Sequence, residues 1–506
     1  MGAAADCTRP SCYDPPMPET PPETLPETPQ NPLYERYASP EMARIFSASH
    51  RFHHWRNLWI VLAECQRELG LPVSGEQIAH LRAVAGDTDL ARVAELERRT
   101  RHDVVAHLRH FAEQADRLGA GAGGVLHLGA TSAFLTDNTD VLLMREGLEL
   151  LLARLAAAVT ALAGFARRTR DIPALAYTHF QPAQLTTVGK RACLWLQDLV
   201  MDMAEVRHRL ATLRCRGVKG TTGTQASFLT LFHGDHGKVR ELDRMVARRL
   251  GFAGSFPVTG QTYSRKQDSQ VLAVLSGLAE SCHKLGTDLR LLQGVGELSE
   301  PFDAEQVGSS AMAYKRNPVR AERMCGLARR LMTDALNGPL NTSVQWLERS
   351  LDDSANRRLV IPDSFLCADA IAGLAAHIAG GLVVREATVA ARVARELPFM
   401  ATETLLMESA LRGGDRQHLH ERIRQYSLES QGRLERGGDN PLIGMIVDDP
   451  DFRLTRSEVE PWLDPVAFTG RSARQVDELL EEVVEPALAE LKAAGLEAAE
   501  VAAPRV

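Results

Sequence analysis

Several things are scarce in this sequence, and each scarcity removes a class of protein. Aromatic residues make up only 5% of the chain, and no uninterrupted apolar run approaches the roughly 18 residues that a membrane span needs, so a membrane protein is not expected. Basic charge is not in excess: 58 Lys and Arg face 65 Asp and Glu, for a net charge of -7 and a pI near 6.2. A broad nucleic-acid surface is therefore not expected, although a local arginine cluster can still hold a small anion. The eight cysteines, Cys7, Cys12, Cys65, Cys193, Cys215, Cys282, Cys325 and Cys367, include no CxxC pair and read as reduced thiols rather than a disulfide framework. The first residues lack a basic stretch followed by an apolar one, and Asp6 stands where a myristoylation motif after Met1-Gly2 wants Ser or Thr, so a cytoplasmic protein is expected. Alternating Val/Ile/Thr runs bounded by turn signals are few, which argues against a β fold.

What is present is length and helical period. At 506 residues the chain is long enough for two to four domains. Residues 1–32 repeat Pro-Glu-Thr at Pro18, Pro22 and Pro26, a composition that buries too little apolar surface to order itself, and a disordered tail is expected there. Beyond Arg36, apolar residues recur at steps of three and four, most clearly at Leu272, Leu275, Leu278, Cys282, Leu285, Leu289 and Leu292. Further helical segments are expected from about Leu142 to Arg168, Asp198 to Leu213, Pro318 to Thr333 and Asp363 to Ala391. The fold class is all-α: three helical domains with a central long-helix bundle, at 33–131, 132–384 and 385–490, followed by a flexible Ala-rich tail over 491–506.

Breaks fall at Ala130-Thr131-Ser132, Gly217 to Gly223, Glu300 to Pro318 and Gly437 to Pro441. Three of these four breaks also carry chemically suggestive residues. The stretch from Gly308 to Pro318 combines small residues, Ser309, Ser310, Lys315 and Asn317, ahead of a helix. A bland reading is a capped surface loop. The functional reading is a cradle of N–H groups, with Lys315 and Asn317 adding charge and hydrogen bonds for an anion that forms when a proton leaves the carbon beside a carboxylate. Ser309 then serves as base only if those groups stabilise its alkoxide.

His179, in Thr178-His179-Phe180-Gln181-Pro182, precedes a helix-length segment and suits proton donation to a leaving nitrogen near neutral pH, although lone histidines are more often structural. Arg101-His102-Asp103 reads equally well as a solvated helix face. His50, His53 and His54 lack a cysteine or carboxylate at ligand spacing and read as surface histidines, so no metal is expected. Lys219 to Thr224 has neither the order of a phosphate loop nor a strand before it. Arg323, Arg349 and Arg358, with Ser354, suit a phosphate, or else pair with acids along a helix.

Taken together these stretches resemble the fumarase/aspartase superfamily, whose shared loop reads GSSxMPxKxNP. Within it, RYASPEM, RHDVVAH, LGATS followed by DNTD, THFQPAQLTTVGKR, RGVKGTTGTQASFL, GQTYSRK, VQWLERSLDDSANRR, ELPFMATE and DPVAFTGR look like the adenylosuccinate lyases of animal type, in order from about Arg36 to Val484. The resemblance implies a homotetramer with sites shared between subunits. It also implies elimination of fumarate from two succinylated purine nucleotides, adenylosuccinate and succinylaminoimidazole carboxamide ribotide, with no metal or organic cofactor. It makes His179 the general acid and Ser309 the general base, with His102 and Lys315 also catalytic. The implied substrate-binding set is Arg36, Tyr37, Arg101, His102, Asp103, Thr131, Ser132, Thr178, Gln261, Lys315, Asn317, Arg323, Arg349, Ser354 and Arg358. In that scheme the succinyl carboxylates meet Thr131, Ser132, Lys315 and Asn317, and the arginines with Ser354 take the phosphate. Ala313 departs from the family proline, and a somewhat more mobile loop is the expected consequence. The alternatives are another fumarate-releasing lyase, such as an argininosuccinate lyase, or a structural protein descended from such an enzyme.

Overall fold

The computed structural model describes residues 31–119, 121–303, 305–312, 314–496 and 498. The Pro-Glu-Thr repeats, Cys7, Cys12, Ala313 and most of the last ten residues lie outside the described residues. The all-α class holds, with two short antiparallel strand pairs as the exceptions among the described residues.

Helix α1, Ala48–Glu68, starts at Ser47, whose hydroxyl accepts the backbone N–H of His50 at 3.2 Å. Helix α2 is Asp103–Asp116 and α3 is Ser132–Arg168. A hairpin of β1, Pro173–Thr178, and β2, Gln181–Thr187, leads into α4, Val188–Thr212. Then come α5, Lys266–Gly294, α6, Val319–Asp334, and α7, Asp353–Gly380. Further along the chain come α8, Glu386–Met400, α9, Arg416–Glu435, and α10, Ser472–Leu479.

The core is a bundle of five long helices. Helix α3 packs along α4 and α7, while α5 runs against α4, α6 and α7. The 37 residues of α3 span about 55 Å at 1.5 Å per residue. The seven-residue stripe on α5 from Leu272 to Leu292 is buried throughout, at no more than 4% exposure. Each buried leucine there contributes roughly 1.5–3 kcal/mol of apolar transfer. Close contact between α3 and α7 depends on Gly147, where an added Cβ would lie 2.6 Å from the Phe365 ring.

Helices α3 and α7 each contain an 18-residue window apolar enough on average to cross a membrane. They are the core of the bundle instead, and they carry buried ions. Arg265 joins Asp137 of α3 at 3.2 Å to Asp353 of α7 at 2.6 Å, and Arg357 of α7 reaches Asp268 at 2.6 Å and Asp140 at 3.0 Å. Such buried ions survive only because each is paired several times over.

The segment from Asp363 to Ala391 is not one helix. It breaks after Gly380, and Val383–Val384 pairs with Leu298–Ser299 before α8 begins. Gly381 lets the chain turn against Pro301, since a Cβ there would meet the proline ring at 2.5 Å. A second, smaller core of Leu405, Leu419, Leu442, Ile446 and Phe452 lies beyond α8. The chain then returns to the bundle, where Val476, Leu480, Val484 and Leu491 join the main core.

Candidate active site

Within one chain the expected site residues fall into three groups. The first gathers where two helices begin. His102 is the N-cap of α2, and Thr131 occupies the same position on α3 without capping it through its side chain. His102 Nε2 lies 3.4 Å from the Ser132 hydroxyl, and Asp103 accepts from Arg358 of α7 at 3.1 Å. Arg101-His102-Asp103 is thus a joint between helices rather than a solvated helix face, and Arg101 takes the left-handed conformation there with φ 54°. Two helix N-termini beside Arg101 and Arg358 make an electropositive recess suited to carboxylates. Beneath it, burial and then the nearby His102 lower His127 to about 4, so its ring stays neutral and accepts the indole N–H of Trp59 at 3.0 Å.

Ser354 lies one turn ahead of Arg358 on α7, and Arg349 stands in the segment that leads into that helix. Arg349 donates to Asp353 at 2.7 Å, and the neighbouring Glu348 carbonyl accepts the backbone N–H of Gln261 at 2.8 Å. Arg349 and Arg358 therefore do have acidic partners, which is the bland alternative for these arginines. One carboxylate leaves most of a guanidinium's five N–H donors available.

The second group is the tip of the β1–β2 hairpin. Thr178 pairs with Gln181, so His179 and Phe180 are the two turn residues, at φ 53° and 58°. His179 precedes a strand, and the helix expected after it begins only at Val188. A two-residue turn of this hand normally uses Asn-Gly, because side chains at positive φ are strained. Below the tip the stem is anchored. The Tyr177 hydroxyl donates to the buried Glu297, Arg392 reaches the same carboxylate at 2.9 Å, and Arg191 lies 3.5 Å from it. Leu175 and Leu185 pack on Val393 and Leu397 of α8. The imidazole of His179 is exposed and makes no hydrogen bond or ion pair to the described residues.

The third group is the loop ahead of α6. The Ser309 hydroxyl accepts the N–H of Met312 at 3.2 Å, and the Asn317 amide donates to the Gly308 carbonyl at 2.9 Å. The loop closes so tightly that a Cβ on Gly308 would sit 2.0 Å from the Lys315 carbonyl oxygen. Its base is fixed by Glu300, which accepts the N–H groups of Arg320 and Ala321 at 3.0 and 2.9 Å. Buried Arg320 in turn ties down the Pro301 carbonyl and Gln306 at 2.6 and 2.9 Å. Lys315 is exposed. Arg323, one turn into α6, lies over the Tyr37 ring at 5.6 Å, with Arg36 close enough to affect its charge.

Among the described residues, no hydrogen bond or ion pair links His179, Ser309 and His102 within the chain. Lys219 is buried on Asp243 at 2.6 Å, which removes it from phosphate binding. Sequence reasoning missed the scaffold of Asp137, Asp140, Asp268, Asp353, Arg265 and Arg357 under the first group. The signal was there in Asp137 and Asp140, charges standing in the first turns of the largely apolar α3. It also missed that His50 and His54 are largely covered against Glu146 of α3, so that of these three histidines His53 alone is exposed.

Comparison with known proteins places the chain in a family. The profile of a family described as "Lyase" matches residues 35–333, and that of "Adenylosuccinate lyase C-terminus" matches residues 398–479. The adenylosuccinate lyase of Saccharomyces cerevisiae is 46% identical over 90% of this chain and 95% of its own length. That of Schistosoma mansoni is 44% identical over 91% and 95%. The solved 3-carboxy-cis,cis-muconate lactonizing enzyme of Pseudomonas putida superposes at a TM-score of 0.77 with 23% identity, over 90% of this chain and 99% of that one, a likeness of fold. Fold and loops together define a lyase of the fumarase/aspartase superfamily. Within that class, the chain belongs to the adenylosuccinate lyase family.

Proposed function

We propose that this protein eliminates fumarate from adenylosuccinate, giving AMP, and from succinylaminoimidazole carboxamide ribotide, giving the aminoimidazole carboxamide ribotide. Two observations carry this reading in a chain of this family: an imidazole without a partner among the described residues, on an anchored hairpin, and a separate serine-bearing loop folded around its own donors.

Ser309, as its alkoxide, takes a proton from the succinyl carbon next to a carboxylate. Negative charge gathers on that carboxylate, where Lys315, Asn317, Thr131 and Ser132 supply donors. The C–N bond then breaks, its electron pair going to nitrogen as the C=C bond of fumarate forms, and His179 gives that nitrogen a proton. His102 helps hold the substrate at the recess, with Arg101, Asp103, Thr178 and Gln261. Arg36, Tyr37, Arg323, Arg349, Ser354 and Arg358 take the nucleotide and its phosphate. The Met312 N–H already donated to Ser309 is the type of contact that stabilises an alkoxide.

The three groups complete one another in a homotetramer built on the central bundle of residues 132–384, between helical domains at 33–131 and 385–490. Apolar surface supports this: Trp346 is 74% and Leu347 98% exposed, with Leu336, Leu340, Leu351 and Leu359 also uncovered nearby in sequence. Cytosolic residence is part of the same reading.

The test is incubation of the purified full chain with adenylosuccinate, following purine absorbance and fumarate. Stoichiometric release is expected, and no loss of substrate would reject the proposal. Ser309→Ala and His179→Ala should each abolish turnover with circular dichroism unchanged, and wild-type rates in either would remove its role. Mixing the two inactive variants under subunit exchange should restore part of the activity. Complete silence in the mixture would show that both groups come from one chain.

A further inference from the structure

We propose that His50, His54 and Glu146 form a binding site for a divalent transition-metal ion of the zinc class, at the seam between α1 and α3. The two histidines stand four residues apart on α1 and share a face, and Glu146 meets them from the middle of α3. His50 Nε2 lies 2.6 Å from one Glu146 oxygen, His54 Nε2 lies 3.0 Å from the other, and the two ring nitrogens are 3.2 Å apart. The side chains are mostly covered, at 18%, 15% and 24% exposure.

No placement of protons satisfies all three edges of this triangle. If both Nε2 atoms carry hydrogen and donate to the carboxylate, two N–H groups confront each other at 3.2 Å with no acceptor between them. If one nitrogen is bare, it can accept from the other ring, but its lone pair then faces a carboxylate oxygen at 3.0 Å or less. A cation in place of the protons turns all three atoms into lone-pair donors. Zinc at about 2.0–2.1 Å from N and O ligands spaces them roughly 3.3 Å apart in a tetrahedron, within a few tenths of an ångström of two of these edges.

Two imidazoles with one carboxylate is a ligand set that zinc uses when a fourth position stays open to water. A cavity of about 280 Å³ bordered by His50, His53, Arg44, Ser47 and Thr88 adjoins the triangle at His50, which gives an ion a way to that ligand. None of the three residues belongs to the machinery described above. The ion's effect would be mechanical, clipping α1 to α3, the longest helix of the bundle.

The probe is Zn²⁺ alone, titrated calorimetrically into the chelator-stripped full chain, with Co²⁺ as a spectroscopic substitute. Saturable uptake of one ion per chain is expected, with a higher melting temperature and a Co²⁺ spectrum of four-coordinate intensity. His54→Gln and Glu146→Gln, close in shape to the originals, should keep the circular dichroism spectrum and weaken Zn²⁺ binding at least about tenfold. His53→Gln, beside the cavity but outside the triangle, should bind as the wild type does. Failure of the wild type to take up one ion, or unchanged affinity in both His54→Gln and Glu146→Gln, would overturn the proposal.

Discussion

Replacing Gly308 by alanine tests the proposed catalytic loop without touching a proposed catalytic group. The added Cβ would sit 2.0 Å from the Lys315 carbonyl oxygen, 3.1 Å from its carbon and 3.2 Å from Arg316 Cα. All three are backbone atoms, so no side chain can rotate away. Carbon–oxygen contacts below 3.0 Å are essentially never observed for Cβ, so the two arms of the loop must part by about 1 Å. That movement breaks the Asn317 hydrogen bond to the Gly308 carbonyl and shifts Ser309 relative to Lys315. Misplacement on this scale costs roughly 10²-fold in rate. Stability should change little: one hydrogen bond is worth about 1 kcal/mol, and glycine to alanine returns about 0.4–1 kcal/mol of unfolded-chain entropy. The assay is steady-state kinetics on adenylosuccinate beside thermal melting monitored by circular dichroism. We expect kcat to drop about 10²-fold with the melting temperature nearly unmoved. Wild-type kcat in Gly308→Ala would refute the reasoning, because it would mean that the loop's closure is not what positions the chemistry.

Further expectations follow from the buried charges. Asp353→Asn leaves Arg265 and Arg349 without their shared carboxylate, and breaking such a buried pair should cost about 3–5 kcal/mol, read as a lower denaturant midpoint. Asp202 on α4 has one carboxylate oxygen buried without a partner. Burial raises its carboxyl to about 7, against the Ser281 hydroxyl and with help from Asp198, Glu280 and Glu205. Between about pH 4 and pH 7 the folded chain therefore holds a proton that the unfolded chain has lost, and stability falls as pH rises through that window. Asp202→Asn removes this penalty, so its stabilisation should be near zero at pH 4 and reach about 4 kcal/mol at pH 8, at roughly 1.4 kcal/mol for each pH unit of that window. A pH-independent difference in melting temperature would contradict this account.

The sequence by itself determined the helical class, because the three-and-four spacing on α5 is a local periodicity that any packing partner satisfies in the same way. It also singled out the loops proposed to carry the chemistry. One glycine, two serines and a lysine gather in one short loop, Gly308 to Pro318, and the family motifs are contiguous strings. Only the tertiary structure decided what depends on contacts between distant segments. The hairpin that lifts His179 is short, and its turn lacks the glycine that would have announced it, because Phe180 is held at positive φ by the anchored stem. The break after Gly380 is set by the approach of Pro301. The scaffold beneath the first group joins Asp137, Arg265 and Asp353 from three separate stretches. Glu146 meets His50 and His54 only because α1 and α3 pack side by side, and burial in that seam makes their charges matter to one another.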